Sequence, residues 1–246
     1  MTNTARLSIA ILALLLLPAC AAEYRARYEV GLLSVERPEN AQQRFGRSVV
    51  TPVSAPGERT RFVFEDSVMQ VTWSPTSEVI AFKLRNKTDH SIRVIWDNAA
   101  YVDKDGESKR VMHVGIPFAN RSLPQPPSVV VRGGELNDQI LPTEYVDYTA
   151  GSPALGTTGG WAQQSFWKVS GSRAQIEAEL ASTVGRRVQI LLPIEIQGVI
   201  NDYIFVFGIN RACYWKTRVD ARGFPVMPRD SDMRCSPATD APAQGL

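Results

Sequence analysis

The sequence predicts a mainly β protein: an antiparallel, immunoglobulin-like β-sandwich with one short helix and long loops. Three observations predict it. From Phe62 onward, apolar and polar residues alternate with a period of two. Clusters of Gly, Pro, Asn, Asp and Ser separate these runs at short spacing. One segment only carries a helical repeat with start and stop signals.

The elements follow in order. In SVMQVTWS, Met69, Val71 and Trp73 alternate with Gln70 and Thr72, and SPTS is a turn. In EVIAFKLRN, Ile80, Phe82 and Leu84 share a face opposite Lys83 and Arg85. In SIRVIWD, Ile92, Val94 and Trp96 face one way. AYVDKDGESKRVMHV is a hairpin, and its Asp105-Gly106 pair supplies the positive φ of a tight turn. Residues 115–128 hold four prolines and form an irregular connection, because proline lacks the backbone donor of a central strand. Val129, Val130 and Val131 make a short strand ended by Gly133-Gly134. Residues 141–168 show no sustained period and read as a long loop, the first part of an insertion over 141–186.

The helix is SGSRAQIEAELASTVGRR. Ser172 is its N-cap, with Gln175 placed for a capping box. Ile176, Leu180 and Val184 recur every four residues, and Gly185 is the stop. RRVQILLPIEIQGVINDYIFVFGINRACYWK is then a strong hairpin turning within residues 197–202. Tyr203, Phe205 and Phe207 share one face, and Pro193 marks an edge or a bulge. About eight strands result, and short antiparallel strands at this spacing most often pack as two sheets. The domain spans 61–235. Residues 20–60 mix charge with Gln, Asn and Pro and read as a tether, with a short edge strand near Val49, Val50 and Val53. Residues 236–246 read as a flexible tail.

Composition bounds the function. Of 246 residues, 44% are apolar and 21% charged, as in a globular protein with a real core. A net charge of +2 lacks the basic excess of a nucleic-acid binder. Ile9 to Leu17 is continuously apolar, but nine residues reach only about 14 Å as a helix, half a bilayer core. Such a stretch fits the apolar region of a secretory signal peptide, residues 1–19. No second apolar stretch of membrane-spanning length follows.

The residues Leu17-Pro18-Ala19-Cys20 resemble the lipobox of bacterial lipoprotein precursors. The resemblance covers the first 20-odd residues. It implies a diacylglycerol on the Cys20 thiol, cleavage before Cys20 and acylation of the new amino terminus. Several chains on one residue would anchor the body stably. Ala21-Ala22 lack the aspartate that retains lipoproteins at the inner membrane, which implies outer-membrane delivery. An ordinary signal peptide with an incidental cysteine is the alternative.

With Cys20 assigned to lipid, Cys213 and Cys235 remain as an even pair in an oxidising compartment. A disulfide between them closes a loop of ~20 residues, contributes about 3 kcal/mol and pins the Pro-, Arg- and Asp-rich tail to the last strand. Free thiols or a metal pair are the alternatives. With two histidines in the chain, neither metal nor cofactor is expected.

No catalytic set emerges. G-x-S-x-G is absent, and only His90 and His113 are available as imidazole bases. DKDGE would need oxygen ligands at Tyr101 and Met112 to be a calcium loop, so it reads as a turn. GTTGG is followed by no Lys-Ser/Thr and is no phosphate loop. Glu144 and Asp147 are the only acids singled out for glycan hydrolysis. What remains is an aromatic group in and beside the glycine-rich loop: Trp161, Phe166 and Trp167, with Tyr145, Tyr148 and the Pro-rich 123–127 stretch extending it. Aromatic residues carry interface energy and stack on sugars; they also plug the open end of a sandwich. The expectation is a non-catalytic, lipid-anchored envelope protein that presents these residues to a protein partner. The alternatives are an inhibitor or immunity-type lipoprotein against a cell-wall hydrolase, and a glycan-binding or glycan-acting protein.

Overall fold

The computed structural model describes residues 22–55, 59–152, 154 and 156–239. The leader and Cys20 lie outside the described residues, as do residues 240–246.

Antiparallel pairing dominates the fold. The strands are β1 (Tyr24–Glu36), β2 (Val49–Val53), β3 (Arg61–Glu65), β4 (Met69–Pro75), β5 (Ile80–Asn86), β6 (Ile92–Val94), β7 (Ala100–Val102) and β8 (Ser108–Met112). They continue with β9 (Ser128–Val130), β10 (Glu135–Pro142), β11 (Val146–Thr149), β12 (Gly160–Gln163), β13 (Ser170–Gly171), β14 (Arg187–Ile196), β15 (Val199–Lys216) and β16 (Arg234–Cys235). Hydrogen bonds link most of them in one path, β13-β1-β15-β14-β7-β8-β10-β5-β4-β3-β2. β11 and β12 form a separate ribbon. The mainly antiparallel β expectation holds. In place of two separate sheets, the β1–β15–β14 portion curls as a half-barrel, and the β3–β4–β5 wing packs against it.

Aromatic side chains make that packing. Phe64 on β3 meets Phe205 edge-on at 5.4 Å. Trp73 on β4 lies 4.7 Å from Phe205 and 5.4 Å from Phe207, centroid to centroid. All four are fully buried. The period-two faces read from the sequence therefore point inward from both wings. Trp96 leaves the strand for a 3-10 turn (Trp96–Asn98), yet its ring stays buried and its indole N–H donates to Ser128 Oγ at 2.8 Å.

The N-terminal segment corrects the tether expectation. β1 pairs with β15 from Tyr24↔Lys216 to Glu36↔Ile204. In YRARYE the exposed residues Arg25, Arg27 and Glu29 alternate with buried Ala26 and Tyr28. The segment is an amphipathic strand whose inward positions include a small residue, so charge dominated its composition. A second helix, α1 (Ala41–Phe45), buries Ala41 and Phe45, and the Phe45 carbonyl accepts from the Ser67 amide at 3.1 Å. The paired strands thus begin at residue 24, within the stretch read as a tether, and the edge strand expected near Val49, Val50 and Val53 is β2.

Three further differences have local causes. Residues 135–142 are a full strand, paired with both β5 and β8. In its opening run, ELND, Glu135 and Asn137 are solvated, while the buried Asp138 accepts the Val114 amide at 2.8 Å. Pro193 sits inside β14 at the gap between two partners: β7 pairs with Gln189–Leu191 positions and β6 with Ile194–Ile196 positions. A missing donor is harmless there, and the Pro193 carbonyl accepts from the Ile95 amide at 3.0 Å. In the expected flexible tail, Ser236 and Thr239 donate their amides to the carbonyls of Ala212 and Asn210, each at 2.8 Å. The helix α2 (Arg173–Thr183) is as expected. Ser172 and Gln175 form the capping box, Ile176 and Leu180 are buried, and Gly185 takes φ +85°. Cys213 and Cys235 form a disulfide and face each other in the β15–β16 register.

Candidate functional site

The β11–β12 ribbon is the feature that stands off the main sheet. Its four pairs run from Val146↔Gln163 to Thr149↔Gly160. Every residue of β12 is exposed, and on β11 only Val146 is buried. Residues expected to form a shapeless loop are therefore a hairpin arm. Its period was hidden because both faces of the arm meet water, so no apolar alternation is needed.

The base of the arm is fixed. The Gln164 amide donates to the Tyr145 carbonyl and the Phe166 amide to the Ser77 carbonyl, each at 2.7 Å. Gln163 Nε2 donates to the Glu78 carbonyl. The Phe166 ring stacks on Tyr101 at 5.3 Å, and Tyr145 meets Phe166 edge-on at the same separation. Burial, then the nearby Asp103 carboxylate, raises the Tyr145 phenol above its ordinary pKa. That phenol stays neutral throughout the physiological range.

These positions divide the five aromatic residues expected to form one surface. Tyr148 and Trp161 are exposed, 57% and 38%, directly opposite in the ribbon register, with ring centroids 5.3 Å apart. Phe166 and Trp167 are buried and do not line a surface. They plug the core beneath the arm, because their backbone has already turned back toward β1: Trp167 packs on Tyr28 at 5.3 Å. Tyr145 is half-buried between the two groups. Of the Pro-rich connection, Leu123 is exposed, while Gln125 is buried and its amide side chain donates to the Val111 carbonyl at 2.7 Å.

Sequence reading missed Arg121. Its guanidinium lies over the Trp161 ring, 4.7 Å from the centroid. An arginine in a proline-rich connection gives no pattern that points to this, since forty residues separate it from its partner. A cation over an indole face contributes about 0.5–1 kcal/mol at an exposed site. It biases the Trp161 ring a few-fold toward this orientation.

Glu144 and Asp147, the acids singled out for glycan hydrolysis, have different surroundings. Glu144 is bound to Lys109 Nζ at 2.8 Å, and the same ammonium meets Glu107 at 3.0 Å and Asp103 at 3.3 Å. Asp147 stands exposed on β11. Asp103 closes the DKDGE hairpin by accepting the amides of Asp105 (2.9 Å) and Glu107 (3.0 Å), as a turn residue. His90 is exposed, in the turn before β6. His113 stacks on Trp96 at 4.3 Å and places Nδ1 3.1 Å from Asp138. Its Nε2 is buried and has no partner among the described residues. No nucleophilic hydroxyl pairs with it there. Among the described residues, no three His, Cys, Asp or Glu side chains gather to hold a metal, and no helix is long and apolar enough to cross a membrane. No family model, curated protein or solved structure matches this chain.

Proposed function

We propose that this chain is a non-catalytic lipoprotein of the cell envelope, anchored through Cys20, delivered to the outer membrane, and binding a protein partner through its β-ribbon arm. The observation that carries the binding reading is the Tyr148–Trp161 pair, solvent-exposed on an arm whose base is fixed by buried aromatic packing. Rigid aromatic side chains give large contact area at small entropic cost, which is the profile of an interface hot spot. The lipid anchor rests on the lipobox residues.

A glycan is the second reading, because exposed rings also stack on sugars. Arg121 already occupies one face of Trp161, and this favours a protein partner over a stacked sugar. Inhibition of a cell-wall hydrolase is one form that protein binding takes, and the partner's identity decides it.

The test is in-cell crosslinking and purification through a C-terminal tag. Tyr148→Ala/Trp161→Ala is expected to lose a specific envelope partner, with affinity falling at least about 30-fold for a true hot spot. Both side chains are exposed, so stability should stay within about 1 kcal/mol per site, the larger share at Trp161, which loses the Arg121 contact. A partner retained at full yield refutes the assignment. Cys20→Ser is expected to abolish lipid labelling, and continued labelling refutes the anchor.

A further inference from the structure

We propose that the loop between β15 and β16 is a membrane-contact surface that rests on a bilayer bearing anionic headgroups. The inference rests on the Cys20 anchor reading and adds to it the face of the body that meets lipid. Four apolar side chains project from this loop: Val219 (61% exposed), Phe224 (64%), Val226 (48%) and Met227 (78%). They are the densest group of exposed large apolar residues in the described sequence. Lys216, Arg218, Arg222 and Arg229 are interspersed among them, all exposed. Arg218 has an acidic partner in Asp232 at 3.4 Å, whereas Arg222 sits at the tip.

The loop is built, not loose. Val219 bridges Pro225, and the Val226 amide donates to the Arg218 carbonyl at 2.8 Å. Asp220 Oδ1 accepts the amides of Arg222 (2.8 Å) and Phe224 (3.0 Å), and Gly223 takes φ +83° to close the turn. Asp220 is therefore committed to the turn. The disulfide fixes the return of the chain at Cys235. An ordered loop with apolar tips loses little freedom on insertion.

What names the occupant is the position of the anchor. The Thr217 amide, at the root of the loop, donates to the Glu23 carbonyl at 2.8 Å. Glu23 is three positions beyond Cys20, and three fully extended steps reach about 10 Å. Because residues 24–36 are a sheet strand, no spacer lifts the body away. Acyl chains on Cys20 would therefore hold the root of this loop within about 10 Å of the headgroups. Arginines flanking the apolar tips match anionic lipid, each near-surface cation adding roughly fivefold to binding.

The test uses the full-length protein with Met227→Cys, labelled with an environment-sensitive fluorophore. Its control carries the label at Val199→Cys, at the far end of the eighteen-residue β15. Each is mixed with phosphatidylcholine vesicles, with and without phosphatidylglycerol, containing spin-labelled lipid. The mass of the Cys20 peptide from the same preparation reports lipidation separately. The expected result is blue-shifted, quenched emission at 227 and neither at 199. Phosphatidylglycerol should strengthen it, and Arg222→Gln and Arg229→Gln should each reverse that gain roughly fivefold. A label at 227 that stays in water on both vesicle types overturns the proposal, whatever the Cys20 mass. An unmodified Cys20 with an inserted label removes the anchor reading and leaves the contact surface standing.

Discussion

Removing the Cys213–Cys235 disulfide tests how the last part of the chain is held. The sequence separation is 22 residues, and the chain-entropy relation gives about 3.4 kcal/mol for such a loop. A domain of this size loses roughly 2–4 °C of Tm per kcal/mol, so a purely global effect lowers Tm by about 10 °C. The structure reduces that figure. Residues 217–235 are largely exposed, and their backbone is tied to the body chiefly at Thr217–Glu23, Tyr214↔Arg234, Ser236–Ala212 and Thr239–Asn210. Without the disulfide, this segment can detach at the cost of a few hydrogen bonds, each contributing about 1 kcal/mol. The β1–β15 and β14–β15 ladders stay intact.

Cys213→Ala/Cys235→Ala should therefore show two signatures. Calorimetry should give a Tm lowered by less than 10 °C. Hydrogen exchange should accelerate in residues 217–239 well before the amides of 203–209, which lie in the core ladder. Uniform acceleration across both regions would refute local detachment. An unchanged Tm with unchanged exchange would refute the constraint itself.

Other predictions follow from buried charge. Burial raises the Asp66 carboxyl above the ordinary range, against the Met69 and Val68 amides, the Tyr203 hydroxyl and Arg37, which lower it. The folded state then holds its proton more tightly than the unfolded chain, so this group's contribution to stability falls as pH rises from about 4 through the raised folded value, and is level above it. Asp66→Asn should remove that slope in urea melts across acidic pH without loss at neutrality; a slope equal to wild type refutes it. Lys109→Met removes the ammonium beside Asp103, whose side chain is 11% exposed, while Glu107 and Glu144 stay in water at 73% and 60%, and should cost about 1 kcal/mol in thermal melts. A loss below about 0.5 kcal/mol would show those contacts to be merely solvated.

The sequence carried the inward faces of β4, β5 and β15 because each reads as alternation in bulky residues. It also carried α2, whose capping box is a local signal, and the disulfide, by cysteine arithmetic. β1 was hidden because its inward Ala26 leaves the charges of YRARYE to dominate the average. The β1–β15 pairing was hidden because β1 pairs with a strand nearly 180 residues away, and no local pattern encodes a partner at that distance. In the candidate site, aromatic content drew attention to residues 145–167, but composition does not say which rings turn inward. Backbone direction decided it: Tyr148 and Trp161 lie on the arm, Phe166 and Trp167 on the stretch returning to the core.

That returning stretch links the two exposed features. The Val169 carbonyl accepts the Ala26 amide at 2.8 Å, and the Lys168 carbonyl accepts the Tyr28 hydroxyl at 2.9 Å. Trp167 packs on Tyr28, while Phe166 packs on Tyr101. Residues 164–169 thus run from the arm to β1, with Phe166 and Trp167 buried. Under the proposed anchor at Cys20, the arm would be fixed to the strand nearest it, which would suit presentation of the proposed binding surface at a set place relative to the bilayer. The same contacts separate two kinds of variant. Trp167→Ala removes a buried ring and should cost about 3–5 kcal/mol, loosening β1 and the arm together. A partner lost in that variant would say little about the interface. A partner lost in Tyr148→Ala/Trp161→Ala, with the melting temperature unchanged, places the contact on the arm itself.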